Sequence, residues 1–315
     1  MTAIRIKALH KHFGEVKALD GLTLTVEHGA VFGFLGPNGA GKTTTIRILT
    51  GLAQPDGGQA WVSGVEVSAK SSQQRQVAAR VGYLPQDPTF YAWMTGQEFL
   101  EYVGRVFGLY GRENRARAQE LLALTGLSKA AGRRIGGFSG GMRQRLGIAQ
   151  ALVNQPEVLF LDEPVSSLDP AGRKEVLELI ERLRGQSTVF MSTHILADVE
   201  RVCDTVGIIN QGKLITQAPQ EALIERYVVP AFEIETENGF APQLQAWAET
   251  LHQHKWVAAV STERRTAHVT VHDVETAKRE LMAAAAQSGL VLTRYEMVRP
   301  SLEDVFLRLV NGEEG

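Results

Sequence analysis

The sequence predicts an α/β protein: a mostly parallel sheet covered by helices, followed by a smaller α+β domain of ferredoxin-like topology. Three observations carry that reading. Strand and helix patterns alternate between residues 158 and 209, which calls for a parallel sheet. The apolar run Val31-Phe32-Gly33-Phe34-Leu35 ends in a glycine-rich turn that opens a helix, the pattern of a strand buried on both faces. From residue 228 the order becomes β-α-β-β-α-β plus a final helix. The 315 residues, at about 150 per domain, divide naturally into two domains.

Each element has its own justification. Residues 3–9 alternate, with Ile4, Ile6 and Ala8 on one face, and Leu22, Leu24 and Val26 repeat the period of two. Ile46, Leu49 and Leu52 space a helix after the glycine turn. From about Pro88 to Gln150 the pattern is mainly helical. Phe99, Tyr102, Val103, Val106 and Phe107 share one predicted face, as do Ala118, Leu121, Leu122 and Thr125. Residues 158–161 read as a strand, 173–183 as a helix, 188–191 as a strand and 196–202 as a helix. Asn210-Gln211-Gly212 reads as a hairpin turn. Ala218-Pro219 starts an expected linker, with a helix over 220–227. Beyond it, strands are expected at 232–237, 256–262, 267–272 and 290–297, and helices at 243–254, 274–287 and 301–310.

Composition excludes several classes of function. Lys and Arg total 33 against 35 Asp and Glu, a net charge of −2, so no global field favours nucleic acid. The single cysteine, Cys203, rules out an intrachain disulfide or a multi-cysteine metal site and reads as a small buried apolar residue. Met1–Lys7 interleaves charged with apolar residues and has no signal-peptide core. No run approaches the roughly 20 apolar residues that span a bilayer. The longest, Leu281–Leu292, is interrupted by Gln287, Ser288 and Gly289. A cytosolic chain unable to form a membrane pore alone is expected.

Three motifs carry chemistry. Gly36-Pro37-Asn38-Gly39-Ala40-Gly41-Lys42-Thr43-Thr44 satisfies G-x-x-x-x-G-K-[ST], between a buried strand and a helix. Its glycines let backbone N–H groups wrap phosphates at a positive helix terminus. Lys42 would reach the β- and γ-phosphates, and the Thr43 hydroxyl would ligate Mg²⁺. A lysine in the first helical turn is otherwise unfavourable by about 0.3–1 kcal/mol, which disfavours a plain turn. Second, Asp162-Glu163 closes the strand 158–161 at its carboxyl end, where ligands gather in open α/β sheets. Asp162 is placed to hold Mg²⁺ through water, and Glu163 to deprotonate an attacking water. Third, Phe138-Ser139-Gly140-Gly141-Met142 opens a helix with exposed N–H groups. On local chemistry alone, simple helix capping is the stronger reading of this third motif.

In this order the motifs resemble the ATP-binding subunit of ABC transporters, over roughly residues 3 to 225. Further residues fit the resemblance. Phe13 before Gly14 matches the aromatic that stacks on adenine, and Gln86 in Tyr83-Leu84-Pro85-Gln86-Asp87 the Q-loop glutamine that senses Mg²⁺ and water. Ser139, Gly140 and Gly141 match the signature. Asp169 in Ser167-Leu168-Asp169 matches the D-loop, and His194 the switch histidine on the γ-phosphate. Phe138 and Met142 depart from the usual Leu-Ser-Gly-Gly-Gln. The resemblance implies a P-loop NTPase cassette over 1–218 with a helical subdomain at about 88–150. A linker helix at 219–227 and a regulatory or dimerisation domain at 228–315 would follow.

It also implies ATP and Mg²⁺ as ligands, a head-to-tail homodimer of cassettes, and a separate multi-pass membrane permease. Phe90, Tyr91, Trp93 and Met94, beside Gln86, form the expected docking surface. The tail Arg299-Pro300-Ser301-Leu302-Glu303-Asp304-Val305-Phe306-Leu307 resembles that of bacterial subunits paired with ABC-2 type exporter permeases. The expected chain is thus a peripheral subunit on the cytoplasmic face of the membrane. The competing expectation is a soluble ABC-type ATPase acting on a macromolecular complex, although such relatives carry two cassettes or long coiled coils.

Overall fold

Alternating side chains begin the fold. The computed structural model describes residues 1–227 and 230–298; the expected helix 301–310 and the tail from Arg299 lie outside the described residues. β1 (Thr2–Phe13) and β2 (Val16–Glu27) pair as a long antiparallel hairpin with β4 (Gly57–Val62) and β5 (Val65–Glu66), in the order β2-β1-β4-β5. Ile4 and Ile6 face the core, but Ala8 does not. Ala8 sits at φ 44 where the register with β2 shifts, so the bulge turns Leu9 inward instead.

A six-stranded sheet, ordered β10-β9-β3-β8-β7-β6, forms the second layer. It comprises β3 (Val31–Leu35), β6 (Val81–Leu84), β7 (Val158–Asp162), β8 (Thr188–Thr193), β9 (Thr205–Asn210) and β10 (Lys213–Pro219). All its pairings are parallel except β9–β10. β3, β7 and β8 are buried at every position. Phe32, Phe34, Phe160 and Phe190 form a fully buried cluster, with Phe190 5.2–5.6 Å from the other three rings. At about 1.5–3 kcal/mol per fully buried side chain, such a cluster fixes the central strands as a rigid base.

β10 runs through Ala218-Pro219, where the sequence suggests a linker. Proline is tolerated there because β10 is an edge strand whose outer side needs no donor. The helix after β3, α1 (Lys42–Leu49), stops earlier than the apolar spacing implies. Gly51 takes φ 77 and Leu52 N–H donates to the Arg47 carbonyl, a glycine C-cap that leaves Leu52 65% exposed.

α2 (Ser71–Arg80) precedes β6, and α3 (Gly96–Val106), α4 (Gly111–Leu124) and α5 (Gly140–Ala151) follow it. Ala118, Leu121, Leu122 and Thr125 are buried. The predicted face of α3 is only partly so: Phe99 is buried, whereas Tyr102, Val106 and Phe107 are exposed. α6 (Pro170–Leu183) and α7 (Leu196–Val202) alternate with β7, β8 and β9. Cys203 is buried, and that burial pushes its thiol pKa up, so it is an inert core residue.

Contacts divide the chain into units Met1–Gln220 and Glu221–Gly315, the break falling inside α8 (Gln220–Tyr227). The second unit holds β11 (Ala231–Thr236), α9 (Ala241–Leu251), β12 (Val257–Glu263), β13 (Thr266–Val271), α10 (Val274–Gln287) and β14 (Leu292–Val298). Its antiparallel sheet runs β12-β13-β11-β14, the ferredoxin-like order. Phe232, Ile234, Val269 and Val271 meet Leu244, Trp247 and Leu281 in its core. α9 ends at Leu251, three residues before the expected end.

Candidate functional site

The glycine turn after β3 is shaped by close backbone approach. A Cβ at Gly36 would lie 2.3 Å from the Ile209 carbonyl oxygen, and one at Gly41 2.5 Å from that of Ala18. Gly41 also takes φ 109, a conformation costly for any L-residue with a side chain. The turn therefore delivers α1 with no side chain capping its first N–H groups. Lys42 is 5% exposed, and its Nζ donates to the carbonyls of Gly36 at 2.7 Å and Pro37 at 3.2 Å. Gly39 and Asn38 lie exposed at the rim, and Ala40 is buried.

β7 brings the two acids to the same place. Asp162, 1% exposed, accepts from the Thr43 hydroxyl at 3.1 Å and the Ser192 hydroxyl at 2.6 Å. Glu163 follows at φ 48, strained for a non-glycine residue by about 1–3 kcal/mol. Its N–H donates to both the carbonyl and the hydroxyl of Ser192, each at 3.1 Å, which holds the turn. The Glu163 carboxylate meets Lys42 and His194. Oε1 lies 3.2 Å from Lys42 Nζ, and Oε2 lies 2.8 Å from His194 Nδ1.

These side chains border a cleft of about 370 Å³. Gly39, Gly41, Lys42, Thr43, Glu163, His194, Gln86 and Val16 line it. The structure thus brings Lys42, Thr43, Asp162, Glu163, Gln86 and His194 together. Asn38 and Thr44 of the glycine loop line the cleft too, whereas Phe13, Ser139, Gly140, Gly141 and Asp169 lie outside the lining. Ser139 caps α5 by accepting from Met142 N–H at 3.2 Å, and both Ser139 and Gly140 are exposed. Gly141 is buried, with Gly172 of α6 beside it. Asp169 caps α6, accepting from Gly172 N–H at 3.1 Å, and is exposed. Phe13 is 55% exposed at the β1–β2 hairpin, paired with the cleft residue Val16.

Two structural partners escaped the sequence reading. Ser192 touches both acids, yet its only signal is its position two residues before His194. Asp198 of α7 is fully buried, pairs with Arg173 of α6 at 2.7 Å, and leaves Oδ2 without a hydrogen-bond partner among the described residues. Burial raises the Asp198 pKa, with Arg173 opposing the shift.

Residues 19–166 match the family model for ABC transporters, and residues 225–310 match the C-terminal domain of DrrA1-3-like ATP-binding proteins. The daunorubicin resistance ATP-binding protein DrrA2 of Streptomyces coeruleorubidus is 40% identical over 98% of this chain and 94% of its own length. The bacitracin transport ATP-binding protein BcrA of Bacillus licheniformis is 34% identical over 99% of this chain and 98% of its own. The dimeric structure of a bacterial ABC transporter cassette matches with a TM-score of 0.63 at 25% identity, covering 69% of this chain and 98% of that one.

Proposed function

The chain belongs to the ATP-binding subunits of ABC transporters, an ATPase family, and on that premise we propose that it drives an exporter of the ABC-2 type. The observation that carries the catalytic reading is the Glu163 carboxylate, set between Lys42 and His194 at the mouth of the phosphate loop.

In this reading the loop Gly36–Thr44 wraps the triphosphate, and Lys42 exchanges its carbonyl contacts for β- and γ-phosphate oxygens. Glu163 takes the proton of a water that attacks the γ-phosphorus in line, and the bond to the ADP oxygen breaks. His194 holds the Glu163 carboxylate in that position and contacts the γ-phosphate. Gln86, which lines the cleft, orders the water. Phe13 stacks on adenine. The donors fit Mg²⁺, which takes oxygen ligands, one or two of them carboxylates, with the rest from water and phosphate. Thr43 and Asp162 supply such oxygens 3.1 Å apart. The ion supplies charge neutralisation on the β- and γ-phosphates.

Ser139 and Gly140 stand exposed on a capped helix terminus outside the cleft, and we assign them, with Gly141 and Asp169, to the triphosphate of a second copy. ATP then bridges two chains and favours the closed pair by contacts that exist only there.

Among the described residues no helix is long and apolar enough to cross a membrane. In this reading a separate permease supplies the membrane path, and the subunit works peripherally at the cytoplasmic face. Its contact surface is the exposed aromatic group Tyr91, Trp93 and Tyr102, in which Tyr91 lies 6.0 Å from each of the other two rings. Met94 does not belong to it: at 8% exposure it is core. Phe90 is half-buried and packs edge-on against Phe99 at 5.2 Å, holding the subdomain together. Co-purification with a polytopic membrane protein, and stimulation of ATPase activity by it, tests the transport reading. An ATPase that instead co-purifies with a soluble complex contradicts it.

A further inference from the structure

Phe13 has no burial to hold its ring. It ends β1 on a hairpin tip, followed by Gly14 at φ 59. An exposed phenylalanine samples several rotamers, and a base stacking on it must first collect one of them. The neighbouring residues remove that freedom. Lys11 stands two positions back along the same strand, across a register shift between Lys11 and His12. Its Nζ lies over the Phe13 ring, 5.4 Å from the centroid, within cation–π range.

Lys11 is itself fixed. Its side chain is only 16% exposed, and its Nζ donates to Asp56 Oδ1 at 2.8 Å. Asp56 is tied in turn to the strand that carries both residues. Its Oδ2 accepts the His12 N–H at 2.6 Å, and its own N–H donates to the His10 carbonyl at 2.9 Å. Among the described residues the His12 ring, with Nδ1 3.6 Å from Oδ2, is the other charged or titratable side chain against Asp56. Asp56 therefore sets the ammonium by three links to one strand, with no part taken by the phosphate loop.

We propose that Lys11 and Asp56 are positioning residues for the nucleobase: Asp56 parks the Lys11 ammonium over one face of Phe13 and presents the other face as the platform for a purine. The proposal rests on the reading that Phe13 stacks on adenine. A ring face reads shape and not hydrogen-bonding edges, so the pair raises affinity for ATP and GTP alike. It does nothing for the phosphates. Losing it raises KM and leaves kcat unchanged.

The test uses the full chain and two ligands, Mg-ATP and inorganic tripolyphosphate, in a binding titration. Lys11→Met and Asp56→Asn are expected to weaken ATP about two- to fivefold, with tripolyphosphate affinity unchanged and Lys11→Arg retaining wild-type ATP affinity. Equal weakening of both ligands would mean a disturbed fold and overturns the assignment. Unchanged ATP affinity in Lys11→Met, with Phe13→Ala still weakened, overturns the role of the pair while sparing the platform. Unchanged ATP affinity in Phe13→Ala removes the platform itself.

Discussion

One Glu163 oxygen stands 2.8 Å from His194 Nδ1 while the other stands 3.2 Å from Lys42 Nζ. A single carboxylate thus joins the glycine loop to the strand end that carries the histidine. Its backbone is fixed in a strained turn by Ser192, so the carboxylate is held before any substrate arrives.

Replacing Glu163 by Gln keeps the shape and removes the proposed base. General-base catalysis is worth on the order of 10²–10⁴-fold, and the steady-state ATPase rate should fall by that amount while ATP affinity is kept. Normal turnover by this variant would remove Glu163 from the chemistry.

Trp93 and Met94 are adjacent in sequence and opposite in environment, so their truncations separate two effects. Trp93→Ala, at a side chain 68% exposed, should leave the melting temperature nearly unchanged and release the membrane partner in pull-down. Met94→Ala should cost about 2–5 kcal/mol of stability through a core cavity. Retention of the partner by the Trp93 variant would move the docking surface elsewhere.

Much of the site is legible in sequence because its chemistry is local. Gly36, Gly41 and Lys42 lie within one turn, and Asp162-Glu163 interrupts an apolar strand with adjacent charges. What is not legible depends on distant partners. Lys11 meets Asp56 across 45 residues, and Ser192 reaches Asp162 across 30. No periodicity announces either. Ala8 fails for another reason: a bulge breaks the period of two in the middle of a strand whose alternation is otherwise regular.

Asp198 gives the pH dependence a sign. Its folded pKa is raised by burial, so the folded chain keeps a proton that the unfolded chain has released. Its contribution to stability therefore falls as pH rises through the interval from the unfolded to the folded value. Denaturation midpoints measured upward from about pH 4 should show that decline in the wild type and lose it in Asp198→Asn. An identical pH profile in both chains would contradict the shift.

In the proposed dimer ATP is clasped by two copies, the phosphate loop of one and the Ser139 helix of the other. Sedimentation velocity of the Glu163→Gln chain with and without Mg-ATP tests it most directly. A monomer without nucleotide and a stable dimer with it is the predicted result. A chain that binds Mg-ATP and stays monomeric would contradict the two-copy clasp, and a folded chain that binds none would contradict the site itself.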